Sequence, residues 1–280
     1  MAKLDVSNLF PWNKMEVRTV SGNRYIFIPK FYVCNDVAPA GSDYAGKKRW
    51  LISEKPQEGY HIHPSFVTNG AENAEGVLIG EDIVGSSIAY TNIKATAKNS
   101  YSAEPYNIYD HHLIARLMLI EYESADLQTL LTGSNTGMGA TYHGIKNVWG
   151  AAGKGEWFYG LDTVANGGGY HTINNTNIHI LSNKMDGTFV DTGVAPCGGG
   201  WPVTLLDKKG TNFDLGDVFL AATVDGTEGN GTLGDYQYLN TGYAFNSFWA
   251  EGSYRGPFYL DDASVTYTHS LLGFRLRKAA

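Results

Sequence analysis

Two pairs of histidines are the first residues in this chain with the type and spacing for chemistry. His61 and His63 alternate in "GYHIHPSF", and His111 and His112 are adjacent in "NIYDHHLIARLM". Either pair supplies two of the three or four ligands that a transition metal takes from a protein. Neither has a third ligand in view, and His61-x-His63 before Pro64 reads instead as packing at a strand end. Asp261-Asp262 and Glu121 with Glu123 are the candidate carboxylate pairs for hydrolysis, in which two acids stand roughly 5–10 Å apart. Adjacent residues on a strand point to opposite faces, and residues two apart on a helix project about 200° from each other. Neither pair can cooperate in that way. Cys34 and Cys197 are the only cysteines, which fits two reduced thiols better than a disulfide framework. No nucleophile elbow, phosphate loop or dinucleotide fingerprint appears. The sequence therefore predicts no catalytic residue, no metal and no cofactor, and points to non-covalent binding.

The bulk composition narrows the partners. With 280 residues, 43% hydrophobic and 13% aromatic, the chain can bury a sizeable core. Its net charge of −7 carries no basic stripe, so nucleic acid has no electrostatic footprint. No apolar run approaches the roughly 20 residues that span a bilayer, and "MAKLDVSNLFPWNK" lacks the layout of a secretory signal. No membrane insertion is expected, and synthesis in a host cytoplasm is.

The elements follow from local pattern. Residues 1–20 show no sustained period and read as an arm for attachment or oligomerisation. "RYIFIPKFYVCN" is a β-branched and aromatic run interrupted by Pro29, which predicts two short strands or an edge strand with a break. "KRWLISEK" and "GYHIHPSF" alternate as half-buried strands do, with "PQEG" as the turn of a small antiparallel meander. From Asn107 to Leu131 the pattern is helical, with Asn107 as N-cap, Asp110 completing a capping box, and a second helical turn beginning at Ser124. Beyond Gly133 the chain is punctuated by glycine, which predicts short strands and long loops. Strands, one or two helices and a loop-rich β tail make an α+β layout.

Three stretches then carry a resemblance. "FIPKFY…RWLISEKPQEGYHIHPSF", "LIARLMLIEYESADLQ" with "GIKNVWG…GEWFYGL", and "EGSYRGPFYL…GFRL" resemble, in that order, phage tail and receptor-binding proteins with a C-type-lectin-like fold. That fold includes the branch of the formylglycine-generating enzyme and the variable proteins diversified by retroelements. The resemblance implies one domain over 21–280, built on a small twisted antiparallel sheet with one or two helices and long glycine-rich loops. Asn147, Trp149, Gly150 and Trp157 match its tryptophan loop, and Gly273, Phe274 and Arg275 its closing strand. The same residues also read as plain core and loop-satisfying groups. The cysteine pair of the enzyme branch and the calcium motifs of the sugar-binding lectins are missing.

In the relatives, the residues before the closing strand form the binding surface. Here 234–270 is rich in Tyr, Asn, Ser and Thr, types that give large amphipathic contact area at low entropic cost and adaptable hydrogen bonds. Tyr236, Tyr238, Asn240, Tyr243, Trp249, Glu251, Tyr254, Tyr259, Asp261 and Tyr267 are the candidate ligand-binding residues. The expectation is a virion protein, a tail-fibre or baseplate adhesin that recognises a protein or glycan on a bacterial surface. Its arm would meet other virion proteins, and a homo-oligomer such as a trimer would supply avidity. A structural virion component on the same fold, such as a head-decoration or tail-attached protein, is the alternative.

Overall fold

The computed structural model describes residues 3–127, 140–149, 154–163, 177–228, 230–247 and 256–280. The apolar run Asn23–Pro29 forms a strand that is buried on both faces, because alternate side chains enter different cores. Ile26 and Ile28 join the larger apolar cluster, and Tyr25 and Phe27 join a second. Gly76–Gly80 pairs with it antiparallel and divides in the same way, Val77 and Ile79 against Leu78. These two strands centre a five-stranded sheet in the order Glu16–Val20, Asn23–Pro29, Gly76–Gly80, Leu276–Ala279, Glu104–Pro105.

The strand stops at Pro29, as a residue without a ladder N–H requires, and the chain re-enters as Tyr32–Val37. That strand lies between Lys48–Ser53 and His61–Ile62 in a separate sheet. The expected meander is therefore rearranged. His61–Ile62 pairs with the far side of Tyr32–Val37 rather than with Lys48–Ser53, where the His61 imidazole meets Asp217.

Among the described residues there are two α-helices, and both pack against the strand Gly155–Asp162. Helix α1, Tyr90–Tyr101, follows from no strong apolar period, and Tyr90, Ile93 and Ala97 are its buried residues. Helix α2, Ile108–Tyr122, begins on the expected capping box. Asn107 Oδ1 accepts from the N–H groups of Tyr109 (3.0 Å) and Asp110 (3.2 Å), and Asp110 Oδ2 accepts from the Asn107 N–H (3.1 Å). The helix ends at Glu123, whose φ is +50°. Ser124–Leu127 is not helical, so the second helical turn is not formed there; the rest of that expected turn lies outside the described residues.

Beside the two-stranded ribbon Lys209–Gly210 and Phe213–Asp214, the described residues of the glycine-rich half build two larger sheets. One orders Phe189–Asp191, His179–Leu181, Gly155–Asp162, Ala244–Asn246 and Asp261–Ala263, with Leu272–Gly273 pairing parallel to the start of Gly155–Asp162. The other orders Ala221–Asp225, Gly198–Leu205 and Gln237–Leu239. The α+β lectin-like domain with one small twisted sheet is thus corrected. Strands hold 38% and helices 15% of the described residues, and four small sheets are arranged as a β-propeller. The reason lies in strand length: apart from Gly155–Asp162 and Gly198–Leu205, the described strands of the glycine-rich half have two to five residues, too short for a period of two to be distinguished from loop.

Residues 3–20, expected as an arm, are held by the chain's own body. The Leu4 N–H donates to the Glu121 carbonyl (2.8 Å), and Val6 and Trp12 are buried in the larger cluster. Trp12 Nε1 donates to Tyr142 Oη (2.7 Å), and Glu16–Val20 forms the edge strand beside Asn23–Pro29.

Candidate ligand-binding face

The strand Gln237–Leu239 positions the centre of the face. Gln237 and Leu239 point inward and are buried, while Tyr236, Tyr238 and Asn240 at the alternate positions are half-exposed. The buried Gln237 amide fixes the strand. Its Oε1 accepts from the Ala221 N–H (2.9 Å), and its Nε2 donates to the carbonyls of Phe219 (2.6 Å) and Phe258 (3.0 Å). One side chain thereby ties three backbone segments together, each of which would otherwise leave a polar group unsatisfied.

The neighbouring strand explains the triple glycine of "PCGGGWP". Gly198, Gly199 and Gly200 lie opposite Leu239, Tyr238 and Gln237. A Cβ at Gly199 would stand 2.8 Å from Tyr236 Oη and 3.4 Å from Tyr238 Cδ1, so glycine lets both rings lie across the strand. The two rings pack 4.4 Å apart at 43°, and Trp201 meets Tyr236 edge-on at 4.8 Å. The row continues through Asn240, whose Nδ2 donates to Asp262 Oδ2 (2.6 Å). Burial pushes the Asp262 carboxyl up, and the Asn240 amide opposes that shift. Thr163 Oγ1 pins the following loop by donating to the Asn240 carbonyl (2.7 Å) and accepting from the Tyr243 N–H (3.1 Å). Tyr243 is left exposed.

Of the other expected binding residues, Tyr267 is half-buried and stacks on His269. Tyr259 and Asp261 are buried, at 1% and 7% exposure, and offer no side chain to a partner. Both lie on a segment hydrogen-bonded on two sides, to 236–238 and to Ala244–Asn246, so only Asp262 emerges. Trp249, Glu251 and Tyr254 lie outside the described residues, as does Gly150.

Beneath the face, Asp235 is fully buried, with Oδ2 accepting from the Phe258 N–H (2.8 Å). Burial pushes its carboxyl up to about 8. The remaining motif residues are structural. Trp149 is buried, Trp157 Nε1 donates to the Ile88 carbonyl (2.8 Å), and Asn147 Nδ2 donates to Asp82 Oδ1 (2.7 Å). Gly273 leaves no room for a Cβ, which would meet the Val84 carbonyl oxygen at 2.6 Å, and Phe274 is buried in the second cluster.

Arg275 is buried with Glu156 and donates to both its carboxylate oxygens (3.1 and 3.2 Å). It also donates to the carbonyls of Gly80 (2.9 Å), Lys146 (2.8 Å) and Asn147 (3.2 Å). Burial raises the Glu156 carboxyl and the Arg275 guanidinium opposes the rise.

The chain matches no protein-family model and no curated protein.

The histidines separate into two kinds. His63, His111 and His112 are buried and held neutral by burial, the first two pushed down to about 3. His63 Nδ1 accepts from the Ser65 N–H (3.3 Å) and His112 Nδ1 from the Phe219 N–H (3.2 Å), so both serve as acceptors for backbone. His61 is half-exposed and stands 2.9 Å from each oxygen of the buried Asp217. With Asp214 these residues form the one group of metal-ligating type among the described residues, its ligand atoms within 4.8 Å of one another. Cations and amides already occupy the carboxylates. Lys209 Nζ lies 2.8 Å from Asp214 Oδ2, Asn35 Nδ2 donates to Asp217 Oδ1 (2.9 Å), and the buried Arg116 guanidinium lies 3.9 Å away from that oxygen. The donor set fits an ion-pair network, in which a metal would compete with groups of its own sign.

Sequence reasoning missed Gln237, Gly199 and Trp201, and weighed Asp262 only as half of a hydrolytic carboxylate pair. The signal was present in "GGGWP" and in the alternation "YQYLN", but only pairing the two strands gives it meaning.

Proposed function

We propose that this protein recognises a surface ligand non-covalently across the row Tyr236, Tyr238, Asn240 and Asp262. The observation that carries the reading is the pair of half-exposed tyrosine rings packed side by side over Gly199. An aromatic surface of two mutually tilted rings, flanked by an amide and a carboxyl, suits a saccharide, whose C–H face packs on a ring while its hydroxyls meet the polar rim. The buried Gln237 amide supports it by holding the platform rigid before any ligand arrives. The setting, a receptor-binding protein on a virion that contacts a bacterial surface molecule, rests on the resemblance of the three stretches and not on the geometry.

The test is adsorption. Labelled protein is titrated onto bacterial cells and onto isolated surface glycans, beside a Tyr236→Ala/Tyr238→Ala variant of unchanged circular dichroism. A platform tyrosine contributing about 2 kcal/mol implies roughly 30-fold weaker binding for each ring removed. A folded variant that binds as tightly as the parent refutes the proposal.

A further inference from the structure

A second site, separate from the aromatic row, lies where α1 faces the edge of the five-stranded sheet. It is a cavity of about 650 Å³, within the range of small-molecule pockets. Four cations line it, Lys94, Lys98, Arg277 and Lys278, against two carboxylates, Glu104 and Asp186. The surplus is positive on a chain whose net charge is −7.

The four cations are not equivalent. Arg277 is spent on the fold, lying 2.9 Å from Asp110 and 3.0 Å from Glu104 and donating to the Ser65 carbonyl. Lys94, Lys98 and Lys278 have no ion pair or hydrogen bond from their ammonium groups among the described residues. Lys94 and Lys98 are four apart on one helix, where like charges repel. Backbone and ring set the direction of Lys94. Its Nζ lies 2.8 Å from where a Cβ on Gly187 would be, a position held open by glycine at φ +85°, and 6.0 Å from the Tyr159 ring centre. Tyr159 is half-buried and stacks on Tyr90 at 5.9 Å. Leu181 and Met185 add an apolar wall.

We infer that this cavity binds an acidic saccharide, with its carboxylates at Lys94, Lys98 and Lys278 and a sugar ring against Tyr159. Lysine ammonium groups recognise charge without demanding the flat bidentate geometry that arginine matches. The two helix lysines stand one turn apart, about 6 Å along the axis, so the occupant carries more than one negative charge or spans more than one unit. An aromatic wall inside the same cavity selects a body with an apolar face over a bare inorganic anion.

The experiment is calorimetric titration of the full chain with trigalacturonic acid, its methyl-ester counterpart and inorganic phosphate, at low salt of about 50 mM and high salt of about 500 mM. The acid trimer is expected to bind saturably at low salt and more weakly at high salt, with little binding of the ester. Lys94→Gln/Lys98→Gln is expected to lose about tenfold or more of the affinity, and Tyr236→Ala/Tyr238→Ala to leave it unchanged. Lys278→Gln is a second variant on a different element, should the helix variant fail to fold. Absence of acid-trimer binding, equal binding of the ester, equal binding of phosphate, or lysine variants that bind like the parent would each overturn the assignment. Loss of binding on substituting the tyrosines would place the acid trimer on the aromatic row instead, and so also overturn it.

Discussion

Replacing Arg275 by methionine is the sharpest test of how the sheet beneath the proposed binding face is anchored. The substitution keeps much of the side chain's apolar stem and removes the guanidinium, leaving Glu156 as a buried carboxylate without its cation. Breaking a buried pair by removing one partner costs about 3–5 kcal/mol. The carbonyls of Gly80, Lys146 and Asn147 lose a donor as well, at up to about 1 kcal/mol each. The expected loss, about 5 kcal/mol, is a large share of a typical domain's 5–15 kcal/mol.

The pH dependence separates the ionic part from the packing part. The Glu156 carboxyl is already raised in the folded state, and without Arg275 it rises further. A carboxyl raised in the folded state contributes stability that is present at low pH and lost as pH rises through the folded value. The variant's deficit should therefore shrink between pH 7.5 and pH 5.5, because the stranded carboxyl takes up a proton in the folded state as pH falls. Glu156→Gln/Arg275→Met, which has no carboxylate to strand, should lack that recovery and be more stable than Arg275→Met at pH 7.5. The assay is urea unfolding followed by circular dichroism at the two pH values. A single variant within about 1 kcal/mol of the parent, or one whose deficit is the same at both pH values, would refute the reasoning.

Three further outcomes follow from the same geometry. Asp235, pushed up to about 8 by burial, gives the folded state more bound protons than the unfolded one between its ordinary value and about 8. Its contribution is full at low pH and fades as pH rises, so urea unfolding at pH 5 and pH 7 should show the parent losing roughly 2–3 kcal/mol relative to Asp235→Asn; parallel profiles would contradict it. Asn107→Ala removes an acceptor used by two N–H groups at the start of α2 and should cost about 1–2 kcal/mol, read as a lowered thermal midpoint. Gly199→Val displaces the Tyr236 and Tyr238 rings and should abolish ligand binding with a changed near-ultraviolet dichroism; unchanged binding would mean the rings are not the contact.

What could be read from the sequence were the features carried by neighbouring residues. The Asn107–Asp110 cap and the break at Pro29 each depend on a few adjacent positions and stand where expected, whereas the inner, buried place of Asn23–Pro29 in its sheet is set by distant strands. Helix α1 was hidden because "YTNIKATAKNSY" mixes threonines and asparagines with only a narrow buried stripe, and tertiary contact decides such a segment rather than propensity. The division of the glycine-rich half into sheets was hidden for another reason. Gly198–Gly200 and Gln237–Leu239 are about forty residues apart in the chain, and nothing local says that the glycines exist to accommodate the tyrosines. Likewise "GYHIHPSF" shows two similar histidines, yet one is a buried backbone acceptor and the other a half-exposed partner of Asp217, set by residues far along the chain.

The residues from Leu272 to Ala279 explain why an aromatic, polar stretch can precede them without loosening the fold. Leu272–Gly273 joins the sheet that holds Asp261–Ala263, and Leu276–Ala279 joins the five-stranded sheet on the other side. Arg275 stands between these pairings and reaches Glu156 in one sheet and the Gly80 carbonyl in the other. A single short segment therefore fastens both sheets, so the outward positions of the face carry none of that task. Tyr238 and Asp262 can change while Gln237, Phe258 and Arg275 keep the backbone in place. Substitutions at the outward positions of the proposed face should therefore cost less stability than substitutions at Gln237 or Arg275, which hold the backbone.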